Sequence, residues 1–117
     1  MIKYSIKIMQ GKAYVYVRSC SGDDKKIERQ KKKCKIFIEK YMEGFKLVKV
    51  FADRKASRKG LAQLHQIVKP GDYIVITSLD IIARDDATLV EILKHFHKKV
   101  KLIIANPETR AELEDEH

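Results

Sequence analysis

Four consecutive side chains near the amino terminus combine a guanidinium with three small nucleophiles. Arg18, Ser19, Cys20 and Ser21 directly follow an apolar run at residues 13–17. Such a run is typical of a buried strand, and open α/β sheets build their sites at the carboxyl ends of strands. A hydroxyl or thiol can attack phosphorus, and fixed cations stabilise the charge that spreads over the phosphate oxygens in the transition state. The segment therefore indicates a site suited to phosphoryl transfer.

Acidic and basic side chains also follow two later apolar runs. Asp53 and Arg58 come after the second run, and Asp80 and Arg84 come after the third. Because parallel strands end at one edge of a sheet, the sequence predicts that these side chains meet the loop after Arg18. Arginine suits phosphate because its guanidinium offers a fixed fork of donors and a permanent charge.

The elements that must position these residues alternate between strand and helix along the chain. Apolar periodicity predicts strands at 13–18, 46–51, 73–77 and 101–105 and helices at about 24–43, 60–68 and 86–99. The near-continuous apolar run at 73–77 indicates a central strand covered by helices on both faces. Alternating strands and helices require parallel pairing with right-handed crossovers. We therefore expect a three-layer α/β fold with a mostly parallel four-stranded sheet.

An additional strand is expected before the first loop. Residues 2–9 alternate apolar and polar side chains, and Gln10, Gly11 and Lys12 suit a turn. This pattern predicts an extra N-terminal edge strand that forms an antiparallel hairpin with residues 13–18.

Length and charge narrow the function classes. The 117 residues fit one core, so we expect residues 1–117 to form a single domain. Lys and Arg number 25 against 16 Asp and Glu, and the resulting net charge of +9 favours polyanionic partners such as nucleic acid. The densest basic segment is either a solvated helix face or a contact for the DNA backbone, and it contains Lys25, Lys26, Lys31, Lys32 and Lys33.

The sequence predicts no metal, cofactor or membrane segment. Cys20 and Cys34 lack the paired spacing of a zinc or redox motif, and Cys34 falls on an apolar helix face as a core residue. His65, His95 and His97 have no metal-ligand partners at suitable spacing. No apolar run approaches the ~18 residues that cross a bilayer. The amino terminus lacks the apolar core of a signal peptide, so we expect a cytoplasmic protein.

Four motifs occur in series between residue 13 and about residue 107. They are Tyr16-Val17-Arg18-Ser19-Cys20, Gln30, Asp53-Arg54-Lys55-Ala56-Ser57-Arg58 and Leu79-Asp80-Ile81-Ile82-Ala83-Arg84. Together they resemble the catalytic domain of the serine recombinases, the resolvase and DNA-invertase family. That family carries Tyr-x-Arg-x-Ser, a Gln nine residues after the serine, an Asp-Lys-Ala-Ser loop with a downstream Arg, and Leu-Asp-Arg-Leu-x-Arg. The resemblance implies strand order 2-1-3-4 and a serine that attacks a DNA phosphodiester to form a covalent phosphoseryl link.

The resemblance also implies roles for the candidate residues. Three arginines would stabilise phosphate charge and three polar residues would orient them, namely Arg18, Arg58 and Arg84 and Gln30, Asp53 and Asp80. Counting forward from Arg18 places the nucleophile at Cys20. Counting back nine from Gln30 places it at Ser21, because this loop holds one extra residue. Asp80 is alternatively only a helix N-cap or a partner for Arg84.

Two departures from the family pattern bear on activity. Ile81 stands where the family has an arginine on the scissile phosphate, and losing such a donor costs on the order of 10²–10³ in rate. The loop from Asp53 to Arg58 is also shortened, with an extra residue at Arg54.

These features leave hypotheses from different classes open. One is a resolvase-type recombinase that cleaves and rejoins DNA, and another is a catalytically inactive module that binds nucleic acid or a recombinase partner. A phosphoacceptor-like regulator is a third, but no predicted strand ends in the clustered acidic residues that magnesium binding needs. The resemblance implies DNA and further copies of the chain, as a dimer or tetramer, or a larger recombinase as partners. We expect no C-terminal DNA-binding domain within residues 1–117.

Overall fold

Strands and helices alternate along the chain as the apolar periodicity predicts. The computed structural model describes residues 11–82 and 100–105. Its elements are β1 (Gly11–Ser19), α1 (Asp24–Tyr41), β2 (Phe45–Arg54), α2 (Lys59–Ile67), β3 (Asp72–Ile76), a 3-10 turn (Leu79–Ile81) and β4 (Val100–Ile104). The predicted edge strand at 2–9 and the predicted helix at 86–99 lie outside the described residues.

The four strands form one parallel sheet in the order β2-β1-β3-β4. This confirms the α/β fold and the predicted strand order 2-1-3-4. All five residues of β3 are buried, as expected for a strand with neighbours on both sides and helices over its faces.

β1 is an interior strand. It pairs with β2 along its whole length and with β3 at residues 13–15. The predicted antiparallel hairpin with residues 13–18 at the sheet edge is therefore wrong, because parallel neighbours occupy both sides of β1 at residues 13–15, where the hairpin would begin. Local alternation in a sequence does not reveal which strand edges are filled by distant segments.

Alternate residues of β1 contribute to two separate cores, one on each face of the sheet. The core on the α1 side includes Ala13, Val15, Val17, Ile27, Cys34, Phe37 and Ile38. The core on the α2 side includes Tyr14, Tyr16, Phe51, Leu64, Val68, Ile74 and Ile76. Cys34 is fully buried, which confirms its prediction as a core residue. The same alternation directs Arg18 toward the α2 side and Ser19 toward the α1 side of the sheet.

α1 begins immediately after the loop that follows β1. Its N-cap is Asp23, whose carboxylate accepts a hydrogen bond from the Lys25 N–H at 2.8 Å. This bond satisfies one of the backbone donors that a helix leaves unpaired at its start. Within residues 11–82 and 100–105, no helix is both long and apolar enough to cross a membrane.

Candidate active site

The ends of β1 and β2 lie side by side. In the parallel register, Arg18 is opposite Asp53 and Ser19 is opposite Arg54. β2 therefore continues through Asp53 and Arg54, which the sequence analysis placed in a loop. The first two candidate loops meet at the carboxyl edge of the sheet, as predicted.

The 19–22 loop holds the three small nucleophiles in different environments. Ser19 is 2% exposed, and its Oγ accepts from the Asp23 N–H at 3.0 Å and lies 3.2 Å from Ser21 Oγ. Its carbonyl accepts from the Gly22 N–H at 3.1 Å, which closes the turn. Cys20 and Ser21 are exposed. Ser19 thus holds the loop, while Cys20 and Ser21 face the solvent from which a substrate would come.

Arg18 is held at both its backbone and its guanidinium. Gln30 binds the backbone, with Oε1 accepting from the Arg18 N–H at 2.9 Å and Nε2 donating to the Arg18 carbonyl at 2.8 Å. At the other end, Nη1 donates to Cys20 Sγ at 3.3 Å and Nη2 donates to the Lys55 carbonyl at 3.0 Å. Nε is buried and has no hydrogen-bond partner in the described part of the chain. The cation is therefore fixed beside the thiol of Cys20.

Lys55 connects the two loops, a role that the sequence analysis missed. Its N–H donates to the Ser19 carbonyl at 2.8 Å, and its own carbonyl accepts from Arg18. Its backbone has a φ of 55°, a left-handed conformation that residues with bulky side chains seldom adopt. Its aliphatic chain lies over Gly22, where an added Cβ would come within 3.1 Å of Lys55 Cε. No local sequence signal marks this position, because left-handed residues are usually Gly or Asn.

Asp53 is a buried anchor for α2. Its side chain is 3% exposed and accepts four hydrogen bonds. Two come from the first turn of α2, with the Gly60 N–H at 2.7 Å and the Leu61 N–H at 3.0 Å. The others come from the Tyr16 hydroxyl at 2.7 Å and the Ser57 hydroxyl at 3.4 Å. This carboxylate therefore positions the start of the helix and the loop before it.

Tyr16 links Asp53 to Arg58. Its hydroxyl donates to Asp53 and accepts from Arg58 Nη1 at 3.4 Å, and the same Nη1 donates to the Ile81 carbonyl at 3.1 Å. Burial above all, and then the hydrogen bond to Asp53, raises the pKa of Tyr16, while Arg58 opposes the shift. Tyr16 thus stays a neutral phenol that can donate and accept at once. The available signal was its position two residues before Arg18 on the same face, since a buried tyrosine hydroxyl needs a partner.

The third candidate loop is described only in part. Ile81, at the position where the resemblance places an arginine, is 8% exposed and lies in the core on the α2 side. The backbone of Asp80 belongs to the 3-10 turn, while the side chain of Asp80 and the whole of Arg84 lie outside the description. Across the residues that the structure describes, no three His, Cys, Asp or Glu side chains gather in a way that could hold a metal ion.

Comparison with known proteins decides the family. The protein-family model described as the resolvase N-terminal domain matches residues 13–116 of the sequence. The chain belongs to the resolvase family. It is similar to the C-terminal catalytic domain of ISC1926 TnpA, an IS607-like serine recombinase, with 26% identity and a TM-score of 0.67 over 89% of this chain and 76% of that one. A resolvase family site-specific recombinase from Streptococcus pneumoniae has the same fold, with 20% identity and a TM-score of 0.70 over 92% and 89% of the two chains.

In this resolvase-family chain the predicted site residues form two connected groups. The first contains Arg18, Cys20 and Gln30, and the second contains Asp53 and Arg58. The strand register and the backbone contacts of the loop after β2 connect the groups. Cations from two loops, an exposed hydroxyl and an exposed thiol therefore lie at one edge of the sheet.

Proposed function

We propose that this chain is the catalytic domain of a serine recombinase, which cleaves and rejoins DNA through a covalent phosphoseryl intermediate. The observation that carries the proposal is the exposed Ser21 hydroxyl, three residues after an Arg18 whose backbone and guanidinium are both fixed. A rigidly held cation costs little reorganisation when charge develops on a phosphate oxygen.

The proposed reaction exchanges one phosphate ester for another. The Ser21 oxygen forms a bond to phosphorus as the bond from phosphorus to one sugar oxygen breaks. The serine proton passes to solvent, and the departing sugar oxygen takes up a proton. A sugar hydroxyl from another strand end then attacks the phosphoserine and regenerates the serine. Because the phosphoseryl link stores the ester bond, rejoining needs no further energy source.

The proposal assigns roles to the remaining candidates from their contacts where the structure describes them, and from the family pattern for Asp80 and Arg84. Arg18, Arg58 and Arg84 stabilise charge on the phosphate. Gln30 acts through the backbone of Arg18, and Asp53 acts through Tyr16 on Arg58, so both are positioning residues. Asp80 is assigned the orientation of Arg84, the arginine of the third loop.

Ser21 is the preferred nucleophile, with Cys20 as the alternative. Both side chains are exposed, but the Cys20 thiol already accepts a hydrogen bond from Arg18, at 3.3 Å. Ser21 Oγ lies 3.2 Å from Ser19 Oγ, which can accept a hydrogen bond from the Ser21 hydroxyl. A serine oxygen is also a harder nucleophile than sulfur and a better match for phosphorus.

A covalent-adduct assay tests the proposal. The full chain is incubated with labelled, nicked duplexes of randomised sequence, and protein–DNA adducts are separated on a denaturing gel. Wild type and Cys20→Ala should form the adduct, and Ser21→Ala should form none. Loss of the adduct in Cys20→Ala alone would instead identify the thiol. Circular dichroism on both variants, which change exposed side chains, shows that they are folded.

One observation favours a second candidate, an inactive module that binds nucleic acid or a recombinase partner. Ile81 is buried in a core where the family pattern has an arginine, so this position supplies no charge to a phosphate. This candidate predicts no adduct from wild type on any nicked or gapped duplex, even with an active recombinase added. Binding to DNA would persist and weaken steeply as the salt concentration rises.

The same proposal extends to partners and organisation. We assign DNA as the substrate, a dimer or tetramer of this chain or a larger recombinase as the assembly, and the cytoplasm as the compartment. We also propose that residues 1–117 act as one domain. Sedimentation equilibrium with and without duplex DNA measures the assembly, and a monomer under both conditions would contradict the oligomer.

A further inference from the structure

The outer side of α1 carries a band of positive charge that is interrupted between Lys33 and Lys40 by the exposed Ile36. We call it the basic stripe, and its six exposed residues are Lys25, Lys26, Arg29, Lys32, Lys33 and Lys40. In the part of the chain that the structure describes, no side chain of the stripe forms an ion pair or hydrogen bond. The charges of the stripe are therefore open to solvent and to a ligand.

The acidic residues of α1 lie along one border of the stripe. Glu28 is three positions after Lys25 and four before Lys32, which makes it a neighbour of both on the helix surface. Asp24 accepts from Arg54 Nε at 2.8 Å, and Glu28 pairs with Lys31 at 3.1 Å. Glu39 borders a shallow groove formed with the start of β2. A helix face that served solubility alone would gain from interspersed charges of both signs. This helix instead keeps its acidic residues to one border, so the middle of the stripe, around Arg29, has only positive charges among its ionisable side chains.

The stripe is unfavourable for the isolated helix. Arg29 has like-charged neighbours three and four positions away on both sides, at Lys25, Lys26, Lys32 and Lys33. Like charges at these spacings repel each other along a helix. A ligand with closely spaced negative charges converts this repulsion into attraction, so the arrangement fits a polyanion.

The stripe starts beside the candidate active site and leads away from it. α1 begins at Asp24, directly after the 19–22 loop. From Lys25 to Lys40 the helix rises about 22 Å, a length of duplex that carries on the order of 13 phosphate charges. We propose that the basic stripe binds the sugar-phosphate backbone of double-stranded DNA along this length. Contacts by lysine to phosphate carry no base readout, so the binding is independent of sequence. The proposal holds whether or not the chain cleaves DNA.

Two triple variants of equal charge test the stripe. Lys26→Gln/Arg29→Gln/Lys33→Gln removes three stripe cations. The matched control, Lys12→Gln/Lys46→Gln/Lys69→Gln, removes three exposed lysines near the amino ends of β1, β2 and β3, at the opposite edge of the sheet. Both triples replace exposed cations by glutamine, and thermal melting verifies that they fold.

The measurement is fluorescence anisotropy of the full chain on a random duplex of about 30 base pairs, between about 50 and 200 mM salt. Each lost phosphate contact makes the slope of log K against log salt shallower by about 0.9. The stripe variant should therefore lose about 2 to 3 from the slope and the control less than 1. Equal slopes in the two variants would overturn the proposal, as would tighter binding of an RNA duplex of the same length.

A second variant guards against a folding defect in the first. Lys32→Gln/Lys40→Gln removes the two remaining stripe residues farthest from the 19–22 loop and should lose about 1 to 2 from the slope. An unchanged slope there would contradict the stripe. Adduct formation at saturating DNA separates the two proposals. A shallower salt slope in the stripe variant without any adduct supports DNA binding by the stripe and rejects cleavage. An adduct with equal slopes in the stripe and control variants supports cleavage and rejects DNA binding by the stripe.

Discussion

The side-chain amide of Gln30 forms two hydrogen bonds with the backbone of Arg18, at 2.9 Å to its N–H and 2.8 Å to its carbonyl. β1 pairs with β3 only at residues 13–15, so this amide takes the place of a neighbouring strand at Arg18. The contact ties α1 to the end of β1. The amide thus fixes the main chain from which the Arg18 guanidinium extends, and an orienting role in catalysis stays a prediction.

Gln30→Leu should destabilise the fold by about 1–3 kcal/mol, because it leaves the N–H and carbonyl of Arg18 without partners. Gln30→Glu should fall between this variant and wild type near neutral pH, since the carboxylate still accepts from the N–H but cannot donate to the carbonyl. Denaturant unfolding measures both. The control is Gln63→Leu, an exposed residue of α2, which should change stability by less than about 0.5 kcal/mol. Equal losses of stability in Gln30→Leu and Gln63→Leu would show that the Gln30 amide does not stabilise the end of β1.

Asp53→Asn should cost about 2–4 kcal/mol of stability. The buried carboxylate accepts from two helix N–H groups and the Tyr16 hydroxyl, and the amide of Asn directs N–H donors at some of these donors. The matched control is Asp24→Asn, which breaks an ion pair to Arg54 whose Asp24 side chain is 78% exposed. Exposed pairs of this kind contribute about 0–1 kcal/mol. Thermal and denaturant unfolding measure the stability of both variants. Similar losses in Asp53→Asn and Asp24→Asn would contradict the anchor role of Asp53.

Gly60→Ala should destabilise the protein by about 1–3 kcal/mol, although alanine normally favours a helix over glycine. A Cβ at Gly60 would lie 3.0 Å from Asp53 Oδ1 and 3.1 Å from the Ala52 carbonyl. Both neighbours are fixed by the sheet and by the hydrogen bonds of Asp53, so they cannot move away cheaply. Denaturant unfolding checks the sign. A gain in stability would mean that the loop relaxes around the methyl group.

The strands of the sheet could be predicted from the sequence because a strand that is buried on both faces has a continuous apolar run. The apolar run at 73–77 corresponds to β3, and the strand order follows from the family resemblance. The extension of β2 through Asp53 was not predictable from local polarity. It depends on pairing with Arg18, a residue distant in sequence.

The candidate site was predicted in its residue types but not in its contacts. Tyr16 and Asp53 are 37 residues apart, and their hydrogen bond exists only because of the strand register. Lys55 was missed because its function lies in its backbone, which adopts a conformation that its side chain does not signal. The family resemblance identifies the candidate residues, whereas the strand register determines which of them are in contact.

Wild type should lose stability with rising pH more steeply than Cys34→Ala, between about pH 9 and 12. Burial raises the pKa of the Cys34 thiol from 9.0 to about 12, with Lys33 opposing the shift. Above pH 9 the unfolded chain loses this proton while the folded chain keeps it. The contribution of the buried Cys34 thiol to the free energy of unfolding is therefore complete below pH 9 and is lost as the pH rises through 12. The extra slope is up to about 1.4 kcal/mol per pH unit.

Exposed Cys20 and the raised pKa of Tyr16 are common to wild type and Cys34→Ala, so they cancel in the comparison. Denaturant unfolding at a series of pH values measures the two curves. Parallel curves would mean that the thiol titrates in the folded state as it does in the unfolded chain.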